Sequence, residues 1–280
     1  MHPDTGPDVR RPKPGPPARH IDHANLRETG QMEQGTATVP GWKTYHRLTR
    51  TATYGFVSVL PLLVLYEVMI LIANRGDIYQ VRVGAEVWIK RLLASVGLSG
   101  ILALGVLVLL AGVAVAFYER HRSIPLRPRY FGWLIVESAG YAVLVAFAVS
   151  RLVGLLLSAW AAGGAGPVAD TWTMLALSIG AGLYEELLFR VLLVGGLYLV
   201  LKRLGLRGAP AYGLAAVAGA LVFSAAHYLG PLGDPFTMAS FLFRFLFGLA
   251  LNALFLVRGF GVAAWTHALY DVMVVTHLLG

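Results

Sequence analysis

The residues that could do chemistry stand in three short stretches of otherwise apolar sequence. The first is AGLYEELLFRVLL, which carries Glu185, Glu186 and Arg190. The second is FSAAHYLGPLGDPF, with Phe223 and His227 four residues apart. The third is AAWTHALYDVMVV, with His267 and Asp271 at the same spacing. Carboxylates and imidazoles move protons near neutral pH, and the same groups suit a divalent ion. Each stretch alone has a plain structural reading: a polar network, a ring packed on an imidazole, a hydrogen bond along a helix. Together they bring two imidazoles and two carboxylates from three elements into surroundings that exclude such groups without a reason. A constellation of this kind can activate water.

Helical spacing sorts the first stretch. At about 100° per residue, Glu186 and Arg190 fall about 40° apart on one face, with the acid before the base as the favourable order requires. That pair neutralises itself and reads as an internal brace. Glu185 falls about 140° from Arg190 and is aimed elsewhere, into a cavity. In the third stretch, Asp271 can hold the tautomer of His267 or share a ligand with it.

Composition says what must position these groups. Of 280 residues, 57% are hydrophobic and 14% charged, and the mean hydropathy is +0.66. Soluble domains carry about 25% charged residues, so a water-soluble globule is excluded. The bulk of the chain cannot be disordered, collagenous or a coiled coil either. Cysteine is absent, which removes disulfides, thiolate metal sites and cysteine nucleophiles together. The net charge of +8 does not call for nucleic acid. Arg and Lys gather at the ends of apolar runs and in the N-terminal stretch, as they do around membrane spans.

Residues 1–42 read as a disordered, basic, Pro/Gly-rich tail in which His2, His20 and His23 are inert. Apolar runs near 52–73, 97–118, 131–158, 172–201, 210–229, 237–257 and 260–279 are long enough to cross a bilayer. The stretch 77–95 mixes charge with Val, Trp, Ile and Leu and reads as an interfacial amphipathic helix. The expected fold is all-α: a polytopic transmembrane helical bundle of about seven spans plus that interfacial helix. Residues 43–129 form its N-terminal part and 130–280 its catalytic membrane domain. Pro61 should kink the first span.

Basic residues orient the bundle. Lys43, Arg47 and Arg50 precede the first span, Arg120, Arg122, Arg127 and Arg129 follow the second, Lys202, Arg203 and Arg207 follow the fourth, and Arg258 follows the sixth. The connections 159–171 and 230–236 hold neither Lys nor Arg. The N-terminus is therefore expected in the cytoplasm. Only Arg75, Arg82, Lys90 and Arg91 dissent, offset in part by Asp77 and Glu86.

Further polar groups stand inside the runs: Glu67, Glu137, Arg151, Arg244 and His277. Arg244 is expected to brace Glu137, with a substrate carboxylate as its other candidate partner. Gly248 and Asn252 should allow close helix approach and an interhelical hydrogen bond. His277 should be interfacial. His227 falls at the end of its run, so it meets the others only if GPLGDPF dips inward as a re-entrant turn. Gly180 and Gly182 are expected to break the helix before the glutamates.

The three motifs, in order, resemble a known family. EELLFR (185–190) matches EExxxR, FSAAH (223–227) matches FxxxH, and HALYD (267–271) matches HxxxN or HxxxD. Within an apolar helical domain they are similar to the CPBP family, the type II CAAX prenyl proteases, also called the Abi or bacteriocin-processing group. The resemblance covers roughly 130–280. It implies an intramembrane endopeptidase of glutamate or metal type in a bacterial cell membrane, acting on a membrane-associated peptide or protein. It places catalysis on Glu185, His227, His267 and Asp271, with Glu186, Arg190 and Phe223 in support. The same four catalytic residues would be the ligands of a divalent metal such as zinc, although the HExxH motif of soluble zinc proteases is missing. One departure matters: many members have Asn where this chain has Asp271. An amide donates a hydrogen bond to an oxyanion, and an ionised carboxylate does not.

Other readings compete. Gly97-Leu98-Ser99-Gly100 resembles the GxSG of rhomboid serine proteases, which would make Ser99 a nucleophile. Tyr270-Asp271 resembles the YD of intramembrane aspartyl proteases, with PLGD (231–234) a near miss for their second motif. Outside proteolysis stand a proton-coupled transporter and a catalytically silent scaffold or immunity protein on the same fold.

Overall fold

Apolar sequence that cannot hydrogen-bond to lipid must satisfy its backbone internally, and every regular element among the described residues is helical. The structure, a computed structural model, describes residues 41–74, 81–156, 170–230 and 233–278. In order they are α1 (Trp42–Thr49), α2 (Ala52–Ala73), α3 (Gly84–Ala94), α4 (Gly100–Tyr118), α5 (Pro128–Leu156), α6 (Thr171–Glu185), a π-helical segment (Glu186–Val194), α7 (Gly195–Arg203), α8 (Gly208–Ala226), α9 (Met238–Arg258) and α10 (Phe260–Val275). The expected tail lies outside the described residues, save Gly41 and Trp42, as does the start of the expected interfacial helix; its remainder is α3.

Among the described residues, four helices are long and apolar enough to cross a membrane: α2, α5, α8 and α9. The protein is thus an integral membrane protein. The expected count of seven is not reached by this measure. The apolar part of α4, Leu104–Tyr118, and the whole of α10 are shorter apolar helices. The run from Thr171 to Arg203 is continuous in right-handed backbone but changes winding at Glu186 and again at Gly195. Leu109, Val113, Phe117, Trp133 and Phe147 stand exposed around the bundle, as lipid-facing side chains do. Pro61 sits inside α2 without ending it.

Caps define where the rods begin. Thr51 caps α2 by accepting from the Tyr54 N–H. Glu119, at the end of α4, accepts from the N–H groups of Ala52 and Thr53 at 3.2 and 2.8 Å, which satisfies donors a helix leaves open. Asp170 caps α6, accepting from the Thr173 hydroxyl at 2.6 Å and its N–H at 3.0 Å. Those two bonds hold the Asp170 carboxyl below its usual range.

Small residues bring the central helices together. A Cβ at Gly180 would lie 2.4 Å from the Tyr66 ring and 2.7 Å from Val83, and one at Gly182 would lie 2.6 Å from the Ala264 carbonyl and from Ala268. These glycines do not break α6, as the sequence had suggested; they let α2, α3 and α10 approach its backbone. The winding changes after Glu185 instead. Gly261 of α10 likewise lies against Ser58 and Gly55 of α2. Gly248 of α9 meets Phe223 and Ala220 of α8, and the Asn252 amide donates to the Ala216 carbonyl at 2.7 Å, as expected.

Two charge clusters fasten the periphery. Glu137 pairs with Arg258, at 2.6 and 2.7 Å, and accepts from the Tyr45 hydroxyl at 2.6 Å. This corrects the expected Glu137–Arg244 brace: Arg258 ends the same helix, and its guanidinium reaches Glu137 while also donating to Thr49 and the His46 carbonyl of α1. The second cluster joins α2 to α3. Arg82 contacts Glu67 and the fully buried Glu86, and Glu86 also meets Tyr66 and Lys90. Arg151 is exposed beside Phe147. His277 is exposed just beyond α10 with a left-handed backbone, φ 56°.

Candidate functional site

Glu185 ends α6 and Glu186 opens the π-helical segment, so the two glutamates sit where the helix rewinds. Such segments carry one extra residue per turn and turn side chains off the regular α-helical faces. Glu186 points into the protein and is fully buried, as is Arg190 one turn on, 3.0 Å away. The Arg190 guanidinium lies over the Phe223 ring, 4.4 Å from its centroid. The brace read from the sequence is present, with Phe223 as its second wall.

Glu185 faces the other way. Its Oε2 lies 3.8 Å from His227 Nε2 and 4.0 Å from His267 Nε2. His267 Nε2 is in turn 3.5 Å from Asp271 Oδ2. The four groups line one cavity of about 500 Å³ between α6, α8, α9 and α10. Phe247 and Phe223 stack edge-on to His267, and Tyr270, Phe243 and Leu177 complete much of the apolar wall.

Backbone and carboxylate partners fix the imidazoles. His227 Nδ1 lies 2.8 Å from the Phe223 carbonyl. A carbonyl only accepts, so Nδ1 carries the hydrogen and the neutral ring turns an acceptor, Nε2, to the cavity. His267 Nδ1 lies 2.7 Å from Glu186 Oε1, and donates to it. The sequence allowed Asp271 either to hold that tautomer or to share a ligand with His267. The structure puts Glu186 on Nδ1 and leaves Asp271 beside Nε2, because the i+4 residue of α10 meets the far edge of the ring. Nothing in the spacing signalled a contact between residues so far apart in the chain.

His227 is the C-cap of α8, and its carbonyl accepts from the Asp234 N–H at 2.9 Å. The chain folds back after it through Gly230, at φ +87°, while 231–232 lie outside the described residues. Arg244 also lines the cavity. Its hydroxyl partners and its pairing with Asp234 were not legible, although Ser240 one turn before it on α9 was a signal. Ser99 is exposed and does not line the cavity, and Asp234 is paired with Arg244 rather than facing Asp271.

Glu185 Oε2 is buried without a hydrogen-bond partner. Such an atom needs a water, a proton or a cation. Zinc held at about 2.0–2.2 Å by tetrahedral ligands sets them about 3.4 Å apart. The donor types suit zinc, but the 3.8 and 4.0 Å separations around Glu185 are wider than such a shell. Among the described residues no group of three His, Asp or Glu is gathered as metal ligands. One water, by contrast, reaches acceptors this far apart with ordinary hydrogen bonds.

No curated protein and no solved structure matches the chain. Over residues 167–273, the segment that supplies Glu185, His227, His267 and Asp271, the chain matches the family of type II CAAX prenyl endopeptidases, Rce1-like, in keeping with the CPBP resemblance of its motifs.

Proposed function

We propose that the protein is an intramembrane endopeptidase that hydrolyses a membrane-associated peptide or protein, in CAAX-type or related processing, with water activated by Glu185 and His227. The family match supports a protease. The single observation that carries the mechanism is the buried, unpartnered Oε2 of Glu185, turned toward two imidazole Nε2 atoms.

A water between Glu185 and His227 donates one hydrogen to each. Its oxygen attacks the scissile carbonyl carbon as Glu185 takes its proton. The carbonyl oxygen becomes an oxyanion and accepts from His267 Nε2–H. His267 acts there as an imidazolium, since Nδ1–H is already committed to Glu186. Glu186, paired with Arg190, orients the ring. The tetrahedral intermediate collapses by breaking the C–N bond, and Glu185 returns the proton to the leaving amine. The products are a new carboxyl and a new amino terminus. No step passes through a metal ion.

The domain division follows the motifs: 43–129 supports, and 130–280 carries the site. The proposed orientation, read from the basic residues at the span ends, has the N-terminus in the cytoplasm, and the proposed location is the bacterial cell membrane that the family resemblance implies. The test is cleavage of a fluorogenic peptide library by purified protein in detergent, comparing wild type with Glu185→Ala and His267→Ala. Loss in both variants is expected; equal cleavage by all three would remove this site from the reaction.

A further inference from the structure

Exposure is graded along the cavity. Its floor is closed: Phe223 is 2% exposed, Phe247 and His267 are 3% exposed, and Glu186 and Arg190 behind them are fully buried. Toward the other end the wall opens, with Met174 of α6 38% exposed and Val274 of α10 46% exposed. All four helices contribute the same half of the bundle. The lining runs from Met174 to Glu185 on α6, over the last turn of α8 and its cap, from Ser240 to Phe247 on α9, and from His267 to Val275 on α10. The cavity therefore leads from Glu185 to the end of the bundle where α6 and α9 begin and α8 and α10 stop. Ser240, Arg244 and Asp271 give that route a polar side.

The opposite end carries the exposed cations. The Arg50 guanidinium donates to the Leu256 carbonyl at 2.9 Å, Glu119 accepts from the start of α2, and the Tyr212 hydroxyl of α8 donates to the Asn252 carbonyl of α9 at 2.6 Å. The starts of α2 and α8 thus lie with the end of α4 and the last turns of α9. Lys43, Arg47 and Arg50 are exposed there. So are Arg120, Arg122 and Arg129 around the α4–α5 connection, and Lys202, Arg203 and Arg207 around the α7–α8 connection.

At the cavity end the balance differs. Of the cations that dissented in the sequence, Arg82 and Lys90 pair with Glu67 and Glu86, and Arg75 lies outside the described residues. Arg244 pairs with Asp234. Arg91 and Arg151 are the exposed cations that remain at this end among the described residues. Basic residues gather on the cytoplasmic side of a membrane, so the cavity leads away from the cytoplasm.

We propose that the cavity opens on the extracytoplasmic side, and that the peptide to be cut is one presented there after crossing the membrane, not the tail of a cytoplasmic protein. The inference rests on the proteolytic reading and narrows its substrate class. From Met174 to Glu185 the helix rises about 16 Å, a distance that about five residues of extended peptide span. Water for the hydrolysis enters by the same route.

The side is measured without turnover. The chain has no cysteine, so a single introduced thiol reports its own position. Met174→Cys, Val274→Cys and Arg203→Cys are each made in the full-length protein and expressed in bacterial spheroplasts. A membrane-impermeant maleimide is added before or after lysis. Met174→Cys and Val274→Cys are expected to be modified in intact spheroplasts, and Arg203→Cys only after lysis. The reverse pattern, or modification of all three before lysis, would overturn the proposal. So would mouth thiols that stay unmodified even after lysis, because the cavity would then not open to water. A second arm uses a charged, quenched peptide that the wild type cleaves in detergent, added outside the spheroplasts. Intact spheroplasts carrying the wild type are expected to cut it, and those carrying Glu185→Gln are not; cleavage only after lysis would overturn the proposal. Outward labelling beside a wild type that cleaves no peptide in detergent would instead sink the proteolytic reading and leave the opening in place.

Discussion

His267 Nδ1 and Glu186 Oε1 are 2.7 Å apart, and this contact couples the buried brace to the cavity. Arg190 holds Glu186, Glu186 holds His267, and His267 presents Nε2 to Glu185. The two adjacent glutamates therefore do different work, one orienting and one facing the reacting atoms.

That division separates two variants. Glu185→Gln is expected to lower kcat by about 10²–10⁴, the usual worth of a general base, with an unchanged melting temperature in detergent. Glu186→Gln strands Arg190 in the interior and should also destabilise the fold, by about 3–5 kcal/mol if the pair behaves as buried pairs do. Initial rates and tryptophan-monitored unfolding on both proteins decide it. Equal melting temperatures for the two variants would contradict the brace.

Gly182 sets the distance between α6 and α10. A Cβ there would lie 2.6 Å from the backbone of α10, so Gly182→Ala should cost about 1–3 kcal/mol. It should also cut activity at least tenfold, by moving His267 away from Glu185. Gly196→Ala, with nothing within 4 Å of the new Cβ, is the control and should be neutral or slightly stabilising. An active, fully stable Gly182→Ala protein would show that this close approach does not position the site.

Asp271 lies beside the nitrogen that faces the reaction, 3.5 Å from His267 Nε2. Asp271→Asn keeps its shape and adds an N–H that can donate to an oxyanion. Activity should be retained or rise, whereas Asp271→Ala should fall about 10²-fold or more below Asp271→Asn, the worth of one oxyanion donor. Steady-state kcat on the three proteins is the measurement, and an Asn variant as inactive as the Ala variant would point to an obligatory carboxylate.

Chelation addresses the spacing around Glu185. Prolonged EDTA or phenanthroline followed by buffer exchange is expected to leave peptidase activity within about twofold, since Glu185 stands wider from both imidazoles than a zinc shell of about 2.0–2.2 Å bonds requires. Full loss with chelator and recovery on adding zinc would reverse that reading.

The helical class was legible because apolar runs of this length have no other way to satisfy a backbone in lipid. The pairing of Glu186 with Arg190 was legible too, since residues four apart on a helix are neighbours. The contacts that complete the site were not. Glu186 reaches His267 across a helix interface, and Arg258 displaces Arg244 as the partner of Glu137; sequence spacing carries no information on which faces meet. Gly180 and Gly182 carried two possible meanings, a break or a close approach, and only the rings and carbonyls packed against them distinguish the two. The π-helical turn at Glu186 has no residue signature in ELLFRVLLV.

The most direct measurement is a high-resolution cryo-electron microscopy map of the detergent-solubilised protein, sharp enough to place water in the cavity. The expected result is one density within hydrogen-bond distance of Glu185 Oε2 and His227 Nε2, on the side faced by His267 Nε2. A Glu185 side chain turned toward lipid, or imidazoles too far apart to reach one water, would contradict hydrolysis at this site.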